Sequence, residues 1–126
     1  MKPPFLAFLI IGFTVSPLLW AQDLDAGKKI YQVSCMACHG KTGTGDKRMA
    51  KILTVDPVLL DIIHGLASQK PDSELLSIVS GGLTMMPAFN KLYTPDQVQS
   101  VVYYLRTLQL DAQTKKLPGK KKRVNP

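Results

Sequence analysis

Apolar side chains return at helical spacing late in the chain. Val98, Val101, Val102, Leu105 and Leu108 form one stripe, the mark of a helix buried on one side. Thr94-Pro95-Asp96-Gln97 opens that helix: a threonine cap is answered three residues on by glutamine, and proline takes the first helical position, where no N–H is needed. Glu74 to Ser80 predicts a shorter helix, capped by Asp72 or Ser73 and stopped by Gly81. Pro57 opens an apolar run, Val58 to Ile63, that predicts another short helix ending near Gly65. Asp25 to Val33 predicts a helix running straight into Cys35. Gly40, Gly43 and Gly45 then punctuate a loop from Gly40 to Asp46, and Met49 falls in a stretch that reads as flexible. Strand periodicity is almost absent, so the pattern predicts an all-α domain.

A different apolar pattern opens the chain. Phe5 to Trp20 follows a positively charged start at Lys2 and carries only Thr14 and Ser16 as polar side chains. That stretch is short for a membrane span and is interrupted by Pro17. Residues 1–21 read as a cleaved secretory signal with the cut after Ala21; an uncleaved anchor is the alternative. Both readings export the protein and predict a periplasmic location. Residues 22–114 then form one domain, with no room for a second core.

Charge divides the remainder. Residues 22–114 carry nine Lys/Arg and nine Asp/Glu, so the body is formally neutral, whereas residues 115–126 carry six positive charges and no negative one. Pro118, Gly119 and like-charge repulsion predict a disordered basic tail. It is either a solvating appendage or a steering arm for an acidic partner or an anionic membrane surface. Nucleic acid does not fit an exported protein.

The chemistry is concentrated in Cys35-Met36-Ala37-Cys38-His39, which holds both cysteines of the chain. Cys-x-x-Cys-His is the attachment signature of a c-type haem. Two thiols one helical turn apart can add across the two vinyl groups of one porphyrin, and the next side chain then offers an imidazole to the iron. A thioredoxin-like pair would need a preceding strand and a βαβ context, and a zinc site would need two further ligands. A disulfide across Cys-x-x-Cys would be short and strained.

A second axial donor has candidates. Met85 and Met86 lie in an apolar loop between two predicted helices, and Pro87 stiffens the backbone after them. A thioether is a soft ligand suited to low-spin haem iron; core filling is the alternative use of both methionines. Met36 lies inside the attachment loop and points the wrong way. His64 could replace a methionine, but at a helix end it reads more simply as a hydrogen-bonded, half-exposed histidine. Tyr93, Tyr103 and Tyr104 could approach haem propionates or pack as core.

With those residues in place, the chain resembles the class I cytochromes c. The likeness spans nearly all of residues 25–110: Gly27 and Tyr31, then Cys35-x-x-Cys38-His39-Gly40, Met86-Pro87-Ala88-Phe89, and the closing helix Val102 to Leu108. It implies a small fold in which N- and C-terminal helices cross and short helices and loops wrap one covalently bound haem c. In that family the methionine directly before proline is the ligand, which implies Met86 rather than Met85, opposite His39. First and last helices pack through a small residue and aromatics, so Gly27 and Tyr31 are expected to meet Tyr104 and Leu105. A proline carbonyl usually accepts the proximal histidine's other ring proton, which makes Pro57 the expected acceptor.

Function follows as an expectation. With both axial positions filled, iron offers no site to a substrate, and transfer of single electrons between redox proteins remains. The resemblance implies a non-enzymatic periplasmic carrier, with a dehydrogenase, oxidase or reductase as donor or acceptor. A dedicated cytochrome subunit of a periplasmic dehydrogenase complex is the alternative. A haem enzyme or gas sensor with a labile methionine is a third reading.

Overall fold

Helix α1 (Leu18–Ile30) does not end where its hydrogen-bond pattern changes. The chain widens into one π-turn, Tyr31–Cys35, where the Met36 N–H reaches back to the Tyr31 carbonyl, and then tightens into α2 (Met36–His39). Such π-turns are often found at functional sites, and this one delivers the chain to both cysteines and His39. The computed structural model describes the backbone of residues 18–116 and the side chains of residues 24–116. Residues 1–17 of the signal expected at 1–21, and residues 117–126 of the tail expected at 115–126, lie outside the described residues. Among those described, no helix is long and apolar enough to cross a membrane.

After the glycine loop comes α3 (Lys47–Leu53), a helix where the sequence around Met49 predicts a flexible stretch. Its cause is local. Asp46 is the N-cap, and its carboxylate accepts the N–H groups of Arg48 and Met49, both at 2.9 Å. Pro57 does open a helix, but only a single 3₁₀ turn, Pro57–Leu60. Asp61 stops it early: its Oδ1 accepts the N–H groups of Ile63 (2.8 Å) and His64 (2.9 Å), a turn that competes with helix. A second 3₁₀ turn, Leu66–Gln69, leads into α4 (Asp72–Gly81). Pro71 sits at the α4 cap position, and no side chain caps it, so neither Asp72 nor Ser73 has the expected role. No strand forms among the described residues; Thr44 with Asp61 and Leu83 with Met86 make isolated bridges.

Helix α5 (Pro95–Lys116) carries the core. Its expected capping box is present in both directions: the Gln97 side chain accepts the Thr94 N–H (2.9 Å), and Thr94 Oγ1 accepts the Gln97 N–H (3.3 Å). The apolar stripe splits between two clusters. Val101 and Leu105 pack with Tyr31, Ile62 and Ile63; Val98 and Val102 pack with Leu75, Val79 and Phe89. The helix continues through Lys115 and Lys116, so the basic segment begins as its last turn, where positive charge suits the carbonyl end of the helix dipole.

The crossing of α1 and α5 is closer than side chains allow. A Cβ on Gly27 would lie 2.0 Å from the Ser100 carbonyl oxygen and 3.1 Å from the Val101 nitrogen. Gly27 therefore meets the α5 backbone one turn before the expected Tyr104 and Leu105. Those two residues belong to Tyr31, whose ring lies 5.4 Å from that of Tyr104 at 59°.

A polar clamp from α5 adds to this packing. Buried Gln109 donates to the Ile62 carbonyl at 2.7 Å and accepts from Arg106 at 2.8 Å. Arg106 also donates to Asp72 (2.8 Å) and to the Lys70 carbonyl. Both ends of the buried amide are satisfied, which removes the cost of placing it in the core.

Candidate functional site

Two apolar clefts, of about 210 and 330 Å³, open between α2, the 57–70 segment and the loop after α4. Cys35, His39, Leu59, Leu83 and Met86 line both. The smaller cleft runs on to Tyr31, Ile62, Leu75, Val79, Val101 and Leu105. The larger runs to Cys38, Leu53, Val55, Leu60, Pro87 and Phe89. Leu59, Leu66 and Leu83 are 61%, 72% and 55% exposed, so large apolar side chains edge the clefts uncovered by any of the described residues.

His39 is held by its own backbone surroundings. Its Nδ1 lies 2.9 Å from the Leu60 carbonyl, so Nδ1 carries the proton and Nε2 keeps its lone pair for a metal. The expected acceptor, Pro57, is three residues away at the other end of the same 3₁₀ turn. Pro57 starts the turn that aims a carbonyl at His39, but the carbonyl comes from the residue that ends it, just before Asp61 breaks the helix. Tyr31 steadies the far side, donating to the Gly40 carbonyl at 2.7 Å directly after His39. Burial, reinforced by Cys35 and Tyr104, pushes its hydroxyl pKa up, so it remains a donor.

Both cysteines are free thiols. Burial, reinforced by Cys38, pushes the Cys35 thiol up to about 11, whereas a thiol set up for disulfide exchange has a depressed pKa. Among the described residues, no three His, Cys, Asp or Glu side chains gather into a metal-binding group. The donors that do converge on the clefts are two thiols, one imidazole and two thioethers, of which only that of Met86 reaches both, on apolar walls, and this set fits a covalently held haem iron.

The methionine loop is built to be stiff. Gly82 takes φ 77°, a left-handed conformation, and a Cβ there would lie 2.6 Å from the Met86 carbonyl oxygen. Leu83 and Met86 exchange backbone hydrogen bonds, and the Phe89 and Asn90 N–H groups return to Val79 and Ser80 on α4, both at 3.1 Å. Met86 is half-buried and lines both clefts; Met85 is 55% exposed and lines only the larger. Met36 and Met49 line neither.

His64 lies outside the clefts. It is exposed and pairs with Asp61, its Nδ1 3.1 Å from Oδ2. Burial raises the Asp61 pKa, but the His64 and Ile63 N–H groups and the His64 ring outweigh it, and the carboxyl stays below its ordinary range. Tyr104 packs against Tyr31, Tyr103 accepts from Gln99 at 2.9 Å, and the Tyr93 hydroxyl lies 2.6 Å from that of Ser34. The tyrosines at 93, 103 and 104 do not line the clefts.

Residues 22–105 match the family described as cytochrome C oxidase, cbb3-type, subunit III. The chain is 30% identical over 102 residues to cytochrome c6 of Rippkaea orientalis (strain PCC 8801 / RF-1), covering 80% of this chain and 85% of that protein. It is 31% identical over 86 residues to cytochrome c6 of Leptolyngbya boryana, covering 66% and 89% respectively. The cbb3-type cytochrome c oxidase subunit FixP of Bradyrhizobium diazoefficiens is 30% identical over 87 residues, which cover 68% of this chain and 28% of that subunit. These matches and the helical fold agree: the chain belongs to the class I cytochrome c family, mono-haem electron-carrying proteins with one covalently bound haem c.

Proposed function

We propose that Cys35 and Cys38 would hold the haem covalently, that His39 and Met86 would be the ligands to its iron, and that the protein passes single electrons between redox proteins of the periplasm. The observation that carries this reading is the pairing of His39 and Met86 on the walls of the same apolar clefts, with His39 Nδ1 already committed to Leu60. When bound, the haem supplies the Fe(II)/Fe(III) couple. The chain's own part is to hold two ligands that suit both oxidation states, and to keep water from the smaller cleft with the Leu75, Val79, Val101 and Leu105 wall. A thioether takes up no proton and favours the reduced metal, so His/Met ligation supports a relatively high potential.

The family match begins at Gln22, directly after the proposed cut at Ala21, which supports a cleaved signal and an exported mature domain of residues 22–114. The basic residues 115–126 would steer the protein to an acidic partner or an anionic membrane surface. A fixed place in a redox complex is the second reading. It is favoured by the family description and by the FixP relative, in which the matching region is 28% of a longer subunit.

A redox titration of the haem-loaded protein tests carriage of single electrons. The expected result is a reversible one-electron curve, about 59 mV per decade, with the same spectrum on the reductive and oxidative sweeps. A two-electron slope, or spectra that differ between the sweeps, would contradict it.

A further inference from the structure

Ser34 and Tyr93 are 59 residues apart, yet their hydroxyls lie 2.6 Å from each other. Ser34 immediately precedes Cys35 and lines the larger cleft beside Met86. Tyr93 ends the methionine loop: its ring stacks on Phe89, with centroids 6.1 Å apart at 29°, and its N–H donates to the Phe89 carbonyl at 3.0 Å. Phe89 is buried and is itself bonded to Val79 on α4. The contact therefore joins the attachment peptide to the loop that carries Met86.

We infer that the Ser34–Tyr93 hydrogen bond is a latch that holds Met86 at the clefts it shares with His39, making Ser34 and Tyr93 positioning residues for the methionine that would bind the iron. This rests on the proposed His39/Met86 ligation. Cys35 and Cys38 would fix the haem to the attachment peptide, whereas Met86 belongs to a separate segment whose only tie to iron would be one thioether bond. Taking Met86 off the iron requires the loop to move away from the attachment peptide. A hydroxyl–hydroxyl bond across that seam opposes the movement directly. Among the described residues, the loop's other hydrogen bonds run within it (Leu83 with Met86, Leu92 and Tyr93 to Phe89) or back to α4, so they stiffen the loop without tying it to the attachment peptide. Either hydroxyl can donate, so the latch needs both groups and tolerates neither Phe at 93 nor Ala at 34.

The test is competition between Met86 and imidazole in the oxidised, haem-loaded full chain, followed by loss of the thioether–iron charge-transfer band. Tyr93→Phe and Ser34→Ala are each expected to tighten imidazole binding about fivefold to tenfold, the effect of losing one hydrogen bond. The double variant should match the singles, because each removes the same contact. Ser34→Thr, which keeps a hydroxyl, should behave as wild type. Singles that leave imidazole affinity unchanged, or effects that add in the double variant, would overturn the latch. So would a fall in the urea midpoint without any change in imidazole affinity, which would mark a purely structural contact. Absence of the band in the wild-type protein would instead remove the ligation reading, and the latch with it.

Discussion

Met86→Ala is expected to erase the thioether–iron charge-transfer band of the oxidised haem-loaded protein and to lower its reduction potential, whereas Met85→Ala should leave both near wild type. The two side chains are neighbours with similar chemistry, and their surroundings separate them. Met86 is half-buried, lines both clefts with His39 and Cys35, and is clamped by the backbone exchange with Leu83. Met85 is 55% exposed and touches only the larger cleft. Truncating Met86 should also cost roughly 1–2 kcal/mol of stability from lost apolar burial, beyond the lost ligand bond. Optical spectra and a potentiometric titration of both variants check this. A band that survives Met86→Ala but disappears in Met85→Ala would reverse the ligand assignment.

Gly27→Ala should be the most damaging alanine substitution among the described glycines. The added Cβ would meet the Ser100 carbonyl oxygen at 2.0 Å and its carbon at 2.5 Å, and both are backbone atoms of a helix. No rotamer change relieves such a clash, so α1 and α5 must separate. Separation loosens Tyr31 against Val101 and Leu105, and those three residues also line the smaller cleft. The cost of forcing extra atoms into a packed core is typically 1–3 kcal/mol, and a backbone clash this close should reach about 3 kcal/mol. For a domain of this size that is a fall in Tm of roughly 10–20 °C. Ordinarily alanine in a helix is worth about 0.5–1 kcal/mol more than glycine, so the expected sign is the reverse of the propensity. Thermal unfolding of the haem-loaded variant decides the matter; a Tm equal to or above wild type would mean that the helices do not cross at Gly27.

What could be read from the chain, and what could not, divides along a physical line. The α5 stripe, the Thr94–Gln97 box and the attachment motif are local signals, in which residue type and spacing carry the information. Helix α3 is also locally encoded, by Asp46 ahead of Lys47 to Leu53, but the three glycines just before it carry the stronger loop signal. Pro57 illustrates a different limit. The acceptor for His39 is a backbone carbonyl, which every residue possesses, so no side chain marks Leu60 as its source; the geometry of the 3₁₀ turn and of Asp61 decides it. The Gln109–Ile62 bond spans 47 residues and the Ser34–Tyr93 bond 59, and contacts so distant in sequence leave no periodic trace. Gly27 is legible as a close-approach glycine, but it meets Ser100 and Val101 one turn before the expected Tyr104 and Leu105, because pairing two helices needs their crossing point as well as their faces.

A closed, His/Met-ligated electron carrier should be inert to carbon monoxide. Spectra of the haem-loaded protein would be taken oxidised and reduced, before and after exposure to the gas. The expected result is a low-spin pair of spectra, the oxidised one with the thioether–iron band, and a reduced spectrum that carbon monoxide leaves unchanged. Rapid carbon monoxide binding by the reduced wild-type protein would contradict it, because Met86 would then not be closing the sixth position.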